Sequence, residues 1–315
     1  MRTEFEFIRN IKSKYGLRVI GDDCAVLPAD STTDLVLTAD MLVEDIDFRL
    51  RWASADALGH KALAVSLSDI AAMGGTPKWA MLSLGIPEGN WQGNFLDKFY
   101  SGWFKLADKH NVKLVGGDVS RSPDKFVVDS IVGGSVRRNR AVLRSGAKPG
   151  DSIFVTGSLG GAAGGLSMLE AGDDGRSPGR KKRELIHRQL RPTPRIEIGK
   201  YLSRYELATS MIDISDGLAA DLHHLCDASS VGARLEADKI PVDGNLSAIK
   251  KQNLDFALSG GEDFELLFTS KKKIISSTKW APISRIGEIT SNTGIVELVE
   301  NNSLLKLPRV GFRHF

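Results

Sequence analysis

Six short acidic motifs, spread from residue 21 to residue 263, constrain this chain more than any other feature. They are Gly21-Asp22-Asp23, Thr38-Ala39-Asp40, Ser68-Asp69, Gly117-Asp118, Asp213-Ile214-Ser215-Asp216-Gly217 and Gly260-Gly261-Glu262-Asp263. Several close an apolar run of strand character, and most touch a glycine, which lets backbone approach a ligand closely. Asp69 differs, because it falls late in an apolar helical pattern. An aspartate beside a glycine is ordinarily a turn or a helix cap. Six of them drawn from both halves of the chain imply a fold that gathers strand ends, where open α/β sheets bind ligands.

The periodicity agrees. Residues 5–15 read as a short amphipathic helix, 35–40 as a strand ending in an acid, and 55–73 as a helix stopped by Gly74-Gly75. A strand over 79–86 is followed by a long helix over 91–110 with Trp91, Phe95, Phe99 and Trp103 inward, and by strands over 112–116 and 126–136. The turn-rich stretch from Arg144 to Asp151 ends the first half. Beyond it come a strand over 152–156, a helix over 162–170, a flexible loop over 171–179, a strand over 210–214, a helix from Gly217 and a strand over 264–269. The expectation is an α/β (α+β) chain of two domains, residues 1–148 and 149–315, which suits 315 residues.

Composition removes several function classes. A net charge of +3 offers no field for nucleic acid or an anionic membrane, and the basic run 179–183 reads as a solvated helix start. No apolar run approaches a membrane span, and Glu4 and Glu6 break any signal-peptide pattern. Cys24 and Cys226 form no framework of disulfides, so a cytoplasmic location is expected.

Converging carboxylates need neutralising, since two unit charges about 4 Å apart repel by roughly 4 kcal/mol at an effective dielectric near 20. Carboxylates with hydroxyl neighbours are the hard donors Mg²⁺ takes, and no His/Cys cluster of zinc spacing competes; His223 and His224 read as ordinary surface or packing residues. Magnesium points to a polyphosphate. The glycine-rich turn 157–165, between a strand and a helix, reads either as a phosphate cradle or as a turn that serves packing. A P-loop and the protein-kinase motifs are absent, so phosphoryl transfer here needs another fold.

The ordered set of motifs resembles the thiamine-monophosphate kinase family, within the superfamily of aminoimidazole ribonucleotide synthase. The matching stretches are Gly21–Ala25, Lys61–Gly74, Leu114–Asp118, Arg144–Asp151, Val155–Gly157, Ile212–Gly217, Leu258–Leu267 and the terminal Gly311–Phe315. The resemblance implies transfer of a phosphoryl group from ATP to thiamine monophosphate without a phosphoenzyme. It also implies a homodimer whose N-terminal domains pair into a β-barrel, with the site near their interface. It assigns Asp23, Thr38, Asp40, Asp69, Asp118, Asp213 and Asp216 to metal, and Tyr100, Gly117, Asp118, Arg144 and Ser215 to ATP. Glu262 and Phe312 fall to the thiamine moiety, and Asp47 to the substrate side. Two positions depart from the family pattern: Ala39 removes a hydroxyl, and Asp47 stands where a histidine is usual. Another ATP-dependent synthetase or cyclase of the superfamily, and a non-catalytic nucleotide-binding homologue, remain open on these residues. Cys24 follows two acids and reads as a packed thiol, not a nucleophile.

Overall fold

The computed structural model describes residues 4–173, 179–249, 253–272, 274, 278–312 and 314. Its first half runs α1 (Glu4–Tyr15), β1 (Ala25–Pro28), β2 (Thr33–Val43), α2 (Ala55–Ala72), β3 (Thr76–Ile86), α3 (Glu88–Trp91), α4 (Phe95–His110), β4 (Lys113–Arg121) and β5 (Val127–Arg137). The five strands form one open sheet in the order β1-β2-β5-β3-β4. Only β3 and β4 are parallel, joined by the crossover through α4.

The second half runs β6 (Ser152–Thr156), α5 (Gly161–Glu170), α6 (Arg180–Leu190), α7 (Ile196–Arg204), β7 (Ser210–Asp213), α8 (Leu218–Ser229) and β8 (Gly232–Glu236). It ends with α9 (Asn253–Ser259), β9 (Leu266–Ser270), β10 (Ile283–Thr290), β11 (Val296–Glu300) and β12 (Ser303–Lys306). These strands build a seven-stranded mixed sheet in the order β12-β11-β8-β10-β6-β9-β7. Two α/β layers, one per half, are therefore present as expected. No helix among the described residues is long and apolar enough to cross a membrane.

Helix α2 decides where the site lies. It is apolar or small nearly all round, the pattern of a helix buried on every side. Ser54 caps it, its side chain accepting from Ala57 N at 3.2 Å. Gly59 and Gly102 let α2 and α4 touch backbone to backbone; a Cβ on either would lie 1.9 Å from a carbonyl oxygen of the other helix. Gly199 of α7 does the same against Ala71. The core around α2 takes in Met211, Phe264, Leu266 and Phe268 from the second half, so the two sheets share one apolar body.

Several elements differ from expectation: β2 runs past Asp40 to Val43, β4 runs through Gly117 and Asp118 to Arg121, and α7 was not foreseen. The helix expected over 91–110 is two, because Gln92 is extended and Gly93 takes φ +82°. Trp91, expected inward, is 55% exposed at the end of α3. Phe99 and Trp103 are fully buried as the spacing requires. The basic run opens α6 at Arg180. Of the loop expected over 171–179, residues 174–178 lie outside the described residues, as do residues 313 and 315 of the terminal motif.

Candidate active site

Carboxylates from both halves meet at the inner end of α2. Asp23 comes from the turn before β1, Asp69 from the last third of α2, and Asp213 from the end of β7. One oxygen from each lies within 4.8 Å of the others. Thr38 on β2 donates its hydroxyl to Asp69 Oδ2, and Asp40, two residues on, adds a fourth acid to the group. Arg144 is the cation in direct contact, with Nη2 2.6 Å from Asp23 Oδ1, and its backbone N–H reaches both oxygens of Asp22 at 3.2 Å.

The electrostatics are strained. Desolvation, then the charge of Asp23, pushes Asp213 up to about 8. Desolvation raises Asp40 to about 6, with Asp129 and Asp23 adding repulsion. Asp69 is raised by desolvation and then by Asp40 and Asp213, and Asp23 by desolvation against the pull of Arg144. One oxygen each of Asp23, Asp40 and Asp213 is buried with no hydrogen-bond partner among the described residues. A buried acceptor without a donor is costly. Several such oxygens facing one another are what divalent, oxygen-seeking cations satisfy. The donor set therefore fits Mg²⁺. Cys24 is buried beside this cluster, and desolvation and Asp69 raise its thiol, in keeping with a packed residue.

A cavity of about 660 Å³ between the two halves is lined by Asp40 of this group and by residues of both halves. Asp40, Ser215, Asp216, Lys61, Glu262 and Phe312 are among its lining residues, with Asp47 close to Lys61. The 215–217 turn supports this wall. Ser215 O accepts from Glu262 N at 2.7 Å, and Asp216 O accepts from Phe312 N at 3.0 Å. Gly261 is required here, since a Cβ would lie 2.6 Å from Ser215 O. Lys61 Nζ sits 2.5 Å from Glu262 Oε1 and 3.2 Å from the carbonyl of Asp47. Asp47 Oδ2 accepts from Val43 N at 2.8 Å, so part of its carboxylate closes a turn.

Other expected residues stand apart. Gly117 and Asp118 are on β4, the exposed edge of the first sheet. Asp40 pairs with Ser130, Ser130 with Leu82, and Leu82 with Gly117. Side chains alternate along strands, so Asp118 lies on the sheet face opposite Asp40. Tyr100 lies on α4, half-buried, its ring 5.6 Å from Phe99 and 6.2 Å from Phe104.

The glycine-rich turn is not a phosphate cradle. Its N–H groups are already taken: Asp263 accepts from Gly160 N at 2.5 Å and from Ala162 N at 3.1 Å. A buried side chain of the chain itself caps α5, where a phosphate was expected. The composition of the turn alone could not separate these two anions. Sequence reading also gave no role to Lys61, Gln189 or Asp221. Asp221 accepts from Asp216 N at 3.2 Å and Gly217 N at 3.0 Å, which fixes the turn bearing Asp216. An acid four residues after Gly217 at a helix start was the available signal.

Residues 21–136 match the family described as AIR synthase related protein, N-terminal domain, and residues 148–300 match its C-terminal domain. A thiamine-monophosphate kinase of Bacillus subtilis is 36% identical over 308 residues, covering 94% of this chain and 93% of its own length. One of Escherichia coli K12 is 38% identical over 304 residues, covering 94% and 91%. Among solved structures, AaThiL complexed with AMPPCP and TMP superposes with a TM-score of 0.89 at 34% identity, covering 99% of this chain and 97% of that one. A HypE–HypF complex at 18% identity and a TM-score of 0.76 shares the fold.

Proposed function

The chain belongs to the thiamine-monophosphate kinase family, and from that premise we propose that its site moves the γ-phosphoryl group of ATP onto thiamine monophosphate, giving thiamine diphosphate. The observation that carries the reading is the under-neutralised carboxylate cluster, whose neighbour Asp40 lines the same cavity as Glu262 and Phe312. Two anions must meet there, and alignment with charge neutralisation is the main demand of phosphoryl transfer.

Asp23, Asp40, Asp69 and Asp213, with Thr38, are assigned to Mg²⁺, and Asp216 joins them from the cavity wall. When bound, Mg²⁺ would neutralise phosphate oxygens and hold donor and acceptor in line. Arg144 is assigned to the phosphates of ATP: its guanidinium suits their geometry, and its Nε is buried with no partner among the described residues. Ser215, Gly117 and Tyr100 are assigned to the nucleotide. Glu262 and Phe312 are assigned to the thiamine rings, since a carboxylate accepts from an aminopyrimidine and an aromatic face suits a thiazolium. Asp47 is assigned to the substrate side. The acceptor phosphate is already anionic at neutral pH, its second pKa being near 6, so no general base is assigned.

Asp118 enters this scheme through a homodimer. Met41 and Met81, 61% and 40% exposed, share the outer face of the first sheet with Asp118, and β4 leaves that sheet open. Pairing two such faces into a barrel would cover the methionines and bring Asp118 toward a site. Residues 1–148 then carry metal, ATP and dimer contacts, and 149–315 the second wall. Two buried free cysteines accord with a reducing cytoplasm.

The test is ADP release with Mg²⁺, with and without thiamine monophosphate. Acceptor-dependent ADP release is expected. Turnover with a different acceptor, or none, would overturn the reading.

A further inference from the structure

Gln189 has no role in the phosphoryl transfer proposed above, yet it stands in the substrate cavity. It lies in the last turn of α6, 5% exposed, and lines that cavity. Its Nε2 donates to Glu262 Oε2. Its Oε1 is buried and has no hydrogen-bond partner among the described residues. Chemistry fixes this orientation. A carboxylate paired with an ammonium only accepts, so the amide turns its NH₂ to Glu262 and its carbonyl away. A buried carbonyl without a donor is a cost that a ligand N–H would recover.

Glu262 is held from three sides. Lys61, whose side chain is only 4% exposed, takes Oε1; Gln189 takes Oε2; and the backbone is pinned at φ +66° by its bond to Ser215 O. Each carboxylate oxygen can accept two hydrogen bonds, so Glu262 keeps capacity for a ligand donor beside the unpaired acceptor of Gln189. Two fixed acceptors side by side suit a group that offers two N–H bonds in one plane.

We propose that Gln189 and Glu262 together read the exocyclic amino group of the substrate's aminopyrimidine ring, one N–H going to the Glu262 carboxylate and the other to Gln189 Oε1. This assignment rests on thiamine monophosphate being the acceptor. Lys61 is a positioning residue for Glu262. A 4-oxo ring in place of the 4-amino ring would present an acceptor to two acceptors, and the site would reject it. Sites built to hydrogen-bond a substrate group discriminate strongly against analogues lacking it.

The experiment compares thiamine monophosphate with its 4-oxo analogue in steady-state kinetics, for the natural chain and for Gln189→Met. Gln189→Leu is the second apolar replacement should the first not fold. The expected result is a KM for thiamine monophosphate raised about tenfold, the scale of one lost neutral hydrogen bond with its unpaired partner. KM for ATP and kcat should stay within about twofold, and the preference for amino over oxo should fall by a similar factor of about ten. Lys61→Arg should keep the preference, because the charge facing Glu262 is retained. An active natural chain whose Gln189 variants keep both KM and preference overturns this inference alone. A natural chain with no acceptor-dependent turnover overturns the functional reading, and this inference with it.

Discussion

Two groups of largely buried acids, one around Asp69 and one around Asp263 and Glu265, are built on opposite principles. In the group around Asp263 and Glu265, every charge has an answer. Arg195 Nε is 2.6 Å from Glu265 Oε2, Thr156 Oγ1 donates to the same oxygen at 2.7 Å, and Arg188 lies 3.1 Å from Asp243 and 3.5 Å from Asp263. In the group around Asp69, four acids have one guanidinium in direct contact and three oxygens without a partner among the described residues. A protein that can satisfy three acids with two arginines in one place, and does not do so in another, has left the second place for ligands. Charge balance therefore separates scaffold from site more sharply than burial, since Asp23 and Asp213 are buried much as Asp263 and Glu265 are.

The largest effect that could break this comparison is on turnover. Asp69→Asn should lower kcat by at least about 10³-fold, or about 4 kcal/mol of barrier, while the metal-free fold keeps its stability because a repelling charge has gone. Near-normal turnover at saturating Mg²⁺ would remove the site from this cluster. Next in size, Glu265→Gln should cost about 3 kcal/mol of unfolding free energy by leaving Arg195 buried and unpaired, read by denaturant titration. A stability loss as small as that of Asp69→Asn would erase the distinction between the two groups.

The smallest expected effect sharpens it through pH. The Asp213 carboxyl, near 3.8 when unfolded, lies at about 8 in the folded chain. The folded state thus holds a proton that the unfolded state has lost between those values, so this group makes stability fall as pH rises across the window. Asp263, raised only to about 6, has finished its contribution by neutral pH. In EDTA, the thermal midpoint should fall between about pH 6.5 and 8.5. Mg²⁺ should flatten or reverse that slope, because it favours the ionised acids. An identical slope with and without Mg²⁺ would argue that no cation enters the cluster.

Much of this was legible before folding. Leu58, Ala62 and Val65 gave helix α2, and the apolar run before Asp213 gave β7, because local periodicity records which faces are buried. The separate halves followed from length and the turn at 144–151. The stretch 91–110 misled because an aromatic repeat continues across Gly93, and periodicity has no measure of a single backbone torsion. Helix α7 escaped the reading, although Gly199 presses it against α2.

What the sequence determined by itself was the inventory: which acids sit on or beside rigid elements, which glycines flank them, and which family pattern they follow; that Asp213 ends β7 while Asp40 and Asp118 lie within β2 and β4 was not in it. What only the tertiary structure decided was how acids that are neighbours in the chain would be used. Glu262, Asp263 and Glu265 lie almost side by side, yet one faces the cavity, one caps α5 and one is neutralised in the core. The physical reason is that a carboxylate's role depends on which distant donors reach it. Lys61, Gly160 and Arg195 are brought there by packing, at sequence separations that no local pattern encodes.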